Sequence, residues 1–343
     1  MNSSRGVSFA ILLGLAAVLG CNGAPVEEGT SDLVGEIKVD GSSTVFPMTT
    51  LAADRFDGPY PNVSVEVGAS GTGGGFKRFQ EGETDISDAS RPIKQDEFAA
   101  CASKGVEFIE LPIAYDGLTF VVHKENDWAT ELTVDQLKAI FQEGGSATKW
   151  SDLNENWPSD DIMIFAPGTD SGTFDYAKEV LAKDGEMRGD MTTSEDDNII
   201  VNSVAGNKNA IGFFGASYYF LNTDKLNSVA IVNPDTGTAV SPSSETIESG
   251  EYAPFSRPLF IYVNVEAAGR TEVAAFVNFY LDNAAQVAKD KAYVALPDAI
   301  YAKVRANYEN KVTGTHYLNA EGGHRKGSLE EIFVPENLVK SVQ

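Results

Sequence analysis

Short apolar runs rich in β-branched and aromatic residues alternate along the chain with segments whose apolar positions recur at a helical period. The runs GEIKVD (35–40), VSVEV (63–67), VEFIELPIA (106–114), LTFVVH (118–123), DIMIFAP (161–167), AIGFFG (210–215), VAIV (229–232) and PLFIYVNV (258–265) predict strands. Between them, Met48, Leu51, Ala52 and Phe56 keep a helical period over 47–56, as Phe174, Ala177, Val180 and Leu181 do over 171–185. A short helix is predicted over 76–82 and a long one over 270–289. The helix predicted over 133–144 opens with a capping box, Thr133 with Gln136. Strands alternating with helices predict an α/β chain with a mainly parallel sheet, in which loops at the strand C-termini carry ligands. With 343 residues, 42% of them hydrophobic, the chain can bury a sizeable core, as two lobes rather than one.

The first residues do not belong to that pattern. Arg5 followed by the apolar run 7–20 predicts a signal peptide over residues 1–20, too short for a permanent membrane span. The string VLGC (18–21) resembles a lipobox, which makes Cys21 the expected lipidation site and residues 21–33 a polar tether. Cys101 is then left without a partner for a disulfide, and its apolar helical context predicts a buried, inert thiol.

Charge narrows the function. The formal net charge is −24, which argues against nucleic acid and against attraction to anionic lipid. It also repels small anions at long range, so any anion site must work through local donors.

Such donors sit in three loops. DGSSTVF (40–46), GASGTGGGF (68–76) and GTDSGTF (168–174) each follow a predicted strand and open a predicted helix with glycine and small hydroxyl residues. A helix N-terminus leaves backbone N–H groups unpaired and favours negative charge. Glycine lets an anion approach those amides, and Ser and Thr hydroxyls add donors beside them. Any one loop is also an ordinary cap with turn glycines; three of one type together make a cage for an anion. A fourth stretch, DISDASRPIK (85–94), adds Arg91, whose planar fork can grip two oxygens of a tetrahedral oxyanion, or else pair with Asp85 or Asp88.

Enzyme chemistry is poorly served. DSGT (170–173) matches one catalytic loop of an aspartic protease, but the second loop is missing. GASGT fails the nucleophile elbow at its last residue, and no Lys followed by Ser or Thr ends the glycine run as in a phosphate-cradling P-loop. His123, His316 and His324 show no metal-ligand spacing, so neither metal nor cofactor is expected.

From the lipobox through VDGSSTVFP, GASGTGGGFKRF, ISDASRPI, AYDGLTFVV, PGTDSGTF and NAIGFFGASYY, the chain resembles the periplasmic phosphate-binding proteins (PstS family) of bacterial high-affinity phosphate ABC transporters. The resemblance implies a two-lobed α/β periplasmic-binding-protein fold of type II, each lobe a mostly parallel sheet flanked by helices, joined by crossing hinge strands. Lobe 1 would comprise 34–121 with 260–343, lobe 2 would comprise 122–259, and LTFVVH and PLFIYVNV would be the hinge strands. It further implies a monomeric, non-enzymatic receptor, lipid-anchored outside the membrane, that passes inorganic phosphate to permease subunits. Another tetrahedral oxyanion, such as sulfate, arsenate or molybdate, is the alternative ligand. Carried onto this chain, the phosphate-binding residues are Ser43, Thr44 and Val45 in the first loop and Ser70, Gly71 and Thr72 in the second. The third loop gives Ser171, Gly172 and Thr173, and the fourth Ser90 and Arg91. Two positions depart from the best-known branch of the family: Ser90 stands where that branch has Asp, and Pro167 where it has Arg. Arg91 is expected to supply the missing cation. Asp116, with Asp170 a weaker choice, is expected to accept the phosphate proton that distinguishes this anion from sulfate.

Overall fold

The computed structural model describes residues 32–341 apart from Asp170, Asp184, Glu195 and Ala320, so the segment predicted to be a signal peptide, Cys21 and Asp170 lie outside the described residues. In the N-terminal third, β1 (Gly35–Gly41), α1 (Phe46–Phe56), β2 (Val63–Val67), α2 (Thr72–Gln80), β3 (Ile86–Ala89) and α3 (Gln95–Ser103) alternate before the long strand β4 (Phe108–His123). β5 (Glu131–Thr133), α4 (Val134–Phe141), β6 (Met163–Pro167), α5 (Gly172–Leu181), β7 (Thr192–Ser194), α6 (Asp197–Ala205), β8 (Ala210–Gly215), α7 (Ala216–Phe220) and β9 (Leu226–Ser228) follow. The chain continues through β10 (Ala230–Val232), β11 (Ala239–Val240), α8 (Ser244–Glu248), β12 (Ser256–Asn264), α9 (Thr271–Asp290) and α10 (Asp298–Glu309).

The main sheet runs β2-β1-β3-β12-β4-β8-β6-β7, with β9 also on β4. At one end β1 lies parallel to β2 and β3; at the other, β6 lies parallel to β7 and β8. Antiparallel pairs are confined to the middle, where β12 joins β3 to β4 and β4 joins β8 and β9. A small sheet, β11-β10-β5, stands apart. The result is a two-lobed α/β architecture, parallel within each lobe and antiparallel where strands cross.

Two predicted strands, 106–114 and 118–123, are one strand in the structure. Tyr115, Asp116 and Gly117 break the local pattern, yet Pro258, Arg257 and Ser256 of β12 pair opposite them and carry the ladder through. Tertiary pairing overrides local propensity here. The first part of β4 pairs with β12 and the last part, from Leu118, with β8.

Helix α2 begins four residues earlier than the predicted 76–82, so the glycines form its first turn. Close packing demands this: a Cβ at Gly75 would lie 2.5 Å from the Gly41 Cα and 2.9 Å from the Asp40 carbonyl oxygen. Helix α9 buries Val273, Phe276, Val277, Tyr280, Leu281 and Ala284 at helical spacing. Phe276 meets Phe56 of α1 edge-on at 5.3 Å, and burying one such ring stabilises the fold by about 1.5–3 kcal/mol. The Thr133–Gln136 capping box forms as predicted, with Thr133 Oγ1 accepting from the Gln136 amide at 3.2 Å. Cys101 is buried on α3, and burial pushes its thiol pKa up to about 12.

Candidate anion site

The first loop leaves β1 at Gly41, whose φ of +147° and closeness to Asp88 (a Cβ would lie 2.1 Å from its carbonyl oxygen) exclude larger residues. The Ser42 amide then donates to the Asp88 carbonyl at 2.9 Å and the Val45 amide to Ser42 O at 3.2 Å. The Val45 side chain is in the core. No side chain caps α2, so its first amides remain donors for something else. In α1 the Phe46 amide donates to Ser42 O and the Met48 amide to Val45 O, both at 2.9 Å, and Pro47 has no N–H.

Loops one and three touch. Thr44 Oγ1 donates to Gly172 O at 3.3 Å, and Ser43 Oγ donates to Asp175 Oδ2 at 2.7 Å. A Cβ at Gly172 would lie 2.6 Å from the Thr44 Cα, so glycine alone permits this approach. Ser171 caps α5 by accepting from the Thr173 amide at 3.2 Å, which leaves Gly172 at the head of the helix.

In the second loop, Ser70 faces inward to Asp40: its amide and hydroxyl donate to that carboxylate at 3.0 and 2.9 Å, alongside Gly41 N and Arg78 Nη1. Burial works to raise the Asp40 pKa, but these bonds outweigh it and hold the carboxyl below its ordinary range. Gly71, at φ +79°, leads into α2. Thr72 Oγ1 lies 3.1 Å from Ser90 Oγ and accepts from the Ser90 amide at 3.2 Å, which ties the second loop to the fourth.

Arg91 is held end-on by Glu97, with Nη1 and Nη2 at 2.9 and 2.8 Å from its two oxygens, and its guanidinium stands 5.7 Å over the Phe76 ring. A second arginine, missed in the sequence reading, sits where the lobes meet. Arg257 of β12 donates from Nε to Asp116 Oδ2 (3.3 Å), from Nη1 to Glu179 Oε2 (2.9 Å) and from Nη2 to Thr44 Oγ1 (3.1 Å). Its guanidinium lies 3.6 Å over the Tyr176 ring. Asp116 is buried against its Nε edge; burial raises the Asp116 pKa more than Arg257 lowers it. The sequence did hold a signal for this residue: Ser-Arg-Pro at 90–92 recurs at 256–258.

The structure thus brings Thr44, Gly172, Arg257 and Asp116 together, with Ser43 on their rim. It brings Thr72, Ser90 and Arg91 together as a second group. A cavity of about 530 Å³ reaches from Arg257 of the first group to Ser90 and Arg91 of the second, with Tyr176, Glu179, Lys138 and Lys183 also on its wall; Thr44, Gly172, Asp116 and Thr72 do not line it. Neutral donors and an arginine fork around such a space suit a tetrahedral oxyanion. Among the described residues no group of three or more His, Cys, Asp or Glu could hold a metal ion.

A two-lobed α/β fold with helix N-termini and an arginine gathered at the lobe junction defines a solute-binding protein. The chain belongs to the PBP superfamily, whose domain model matches residues 26–284, and to its PstS-type branch. It is 42% identical over 331 residues to Protein SphX of Synechococcus elongatus, covering 96% of each chain. To the phosphate-binding protein PstS of Staphylococcus aureus it is 39% identical over 291 residues, 84% of this chain and 87% of that one. The crystal structure of a possible phosphate-binding protein from Planctomyces limnophilus matches with a TM-score of 0.79 at 41% identity, covering 82% of this chain and 99% of that one.

Proposed function

We propose that this chain is a receptor that captures inorganic phosphate between its lobes and delivers it to the permease of an ABC transporter. The observation that carries the reading is the junction itself. Thr44 from the first loop, Gly172 from the third and Arg257 from the crossing strand lie within one set of hydrogen bonds. The names of the similar PstS proteins support phosphate as the ligand.

In this reading lobe 1 is 34–121 with 260–343 and lobe 2 is 122–259, and the lobes close by bending at β4 and β12. Closure excludes water, so the amides of Gly71, Gly172 and their neighbours gain strength without net positive charge. Thr44, Thr72, Ser90 and Thr173 donate hydroxyls, Arg257 and Arg91 supply charge, and Asp116 holds Arg257 in place through its Nε. The protein acts without catalysis, as a monomer outside the cytoplasmic membrane, held by lipid at Cys21.

The test is calorimetric titration with phosphate, alone and in excess sulfate, from pH 5 to 9. The expected outcome is phosphate heat that persists in sulfate. Full competition by sulfate hands the site to another oxyanion.

A further inference from the structure

We infer that Glu179 is the carboxylate by which this site tells hydrogen phosphate from sulfate. The inference rests on the phosphate reading and adds a residue to it. Discrimination needs an acceptor for the one group that separates the anions: hydrogen phosphate carries an O–H near neutral pH and sulfate carries none. Ser90 cannot do this by charge, because a hydroxyl does not repel a fully ionised anion.

The carboxylates near the two guanidiniums differ in what they are free to meet. Glu97 spends both oxygens on Arg91, and its Oε2 also accepts from the Lys94 amide at 2.9 Å. Asp116 is sealed beneath the Nε edge of Arg257, 1% exposed. Asp175 takes the Ser43 hydroxyl. Among the described residues that line the cavity between Ser90 and Arg257, Glu179 is the one acid. Its side chain is 59% exposed and meets Arg257 through Nη1.

An anion that takes the Nη1 and Nη2 donors of Arg257 must displace the Glu179 and Thr44 oxygens now there, and it comes to rest beside the displaced carboxylate. Sulfate presents only acceptors, so the two anions repel at short range, and closure of the lobes strengthens that repulsion by removing water. Hydrogen phosphate donates its O–H to the same carboxylate, which turns the repulsion into a charge-assisted hydrogen bond. Glu179 lies on α5, across the cleft from Ser90 and Arg91. Glu179 and Arg257 both fall within lobe 2 (122–259), so the acceptor stands beside the anion before closure, and Ser90 and Arg91 of lobe 1 complete the enclosure.

The experiment titrates wild type, Glu179→Gln and Asp116→Asn with sodium phosphate and with sodium sulfate, with a thermal melt of each variant as the folding control. Gln keeps the length of Glu and suits an exposed helical position. The expected result is that Glu179→Gln strengthens sulfate binding by about tenfold or more while phosphate changes less, so the phosphate-to-sulfate ratio falls. An unchanged ratio in Glu179→Gln, or a ratio that collapses in Asp116→Asn alone, overturns the inference. If wild type binds phosphate and Glu179→Gln leaves the ratio unchanged, the inference fails and the phosphate reading stands; wild type that binds no phosphate removes both.

Discussion

Two buried charged residues show how neighbours decide what a side chain can do. Arg257 is almost enclosed, stacked on Tyr176, and donates to acceptors from three separate segments. Its removal strands Asp116 in the interior, and loss of one partner of a buried charge pair costs about 2–5 kcal/mol. Arg257→Ala should therefore weaken phosphate binding by that order, read by calorimetry; a loss well under tenfold would take Arg257 out of the site. Asp88, beneath the first loop on β3, is buried with no hydrogen-bond partner for its carboxylate among the described residues. Burial, aided by the charge of Asp40, pushes its pKa up to about 8. The folded state then keeps a proton that the unfolded state releases near pH 4, so this group destabilises the fold increasingly as pH rises toward 8. The slope approaches about 1.4 kcal/mol per pH unit within that window. Asp88→Asn should melt higher than wild type by a margin that widens from pH 5 to pH 8, and parallel melting curves across that range would refute it.

At the scale of elements, glycine sets how closely helices and loops approach. Gly75 lets α2 lie against β1, and Gly172 lets the head of α5 rest on the first loop. Both contacts are to backbone, which cannot swing aside as a side chain can. Gly172→Val should hold the first and third loops apart and weaken phosphate binding by about 1–3 kcal/mol, the range for overpacking. Its circular dichroism should match wild type, because Gly172 has no positive φ to strain. Equal affinity for the two proteins would mean that these loops need not meet.

Across the whole molecule, the acidic surface sets how the ligand arrives. The net charge of −24 is relieved little at the cleft: Arg91 pairs with Glu97, Arg257 with Asp116 and Glu179, and Lys138 with Asp135, which leaves Lys183 as the one cavity-lining cation without an ion pair among the described residues. Attraction is therefore short-ranged, and screening removes repulsion rather than steering. In stopped-flow measurements the phosphate on-rate should hold steady or rise as salt is added. A steep fall with salt would reveal a basic funnel that this pairing does not show.

Much of the architecture was legible along the chain because periodicity is local. VSVEV is β2, the capping box at Thr133 starts α4, and the long apolar stripe from Val273 is α9. The hydroxyl and glycine loops were legible for the same reason, since each lies within a few residues of a strand end and a helix start. What local pattern could not tell was which donors face a ligand and which face one another. Ser70 carries the right chemistry, yet Asp40, thirty residues earlier, takes its hydroxyl. Arg91 stood out beside the glycine loops, whereas Arg257, in the same Ser-Arg-Pro string, did not. Its partners Asp116 and Thr44 lie 141 and 213 residues away, and only the pairing of β12 with β4 brings them within reach. The sequence by itself determined the inventory of elements and of anion donors, because propensity and side-chain chemistry belong to each residue. The tertiary structure alone decided their alignment, because hydrogen bonds and ion pairs form between groups that chain folding, not sequence distance, makes neighbours.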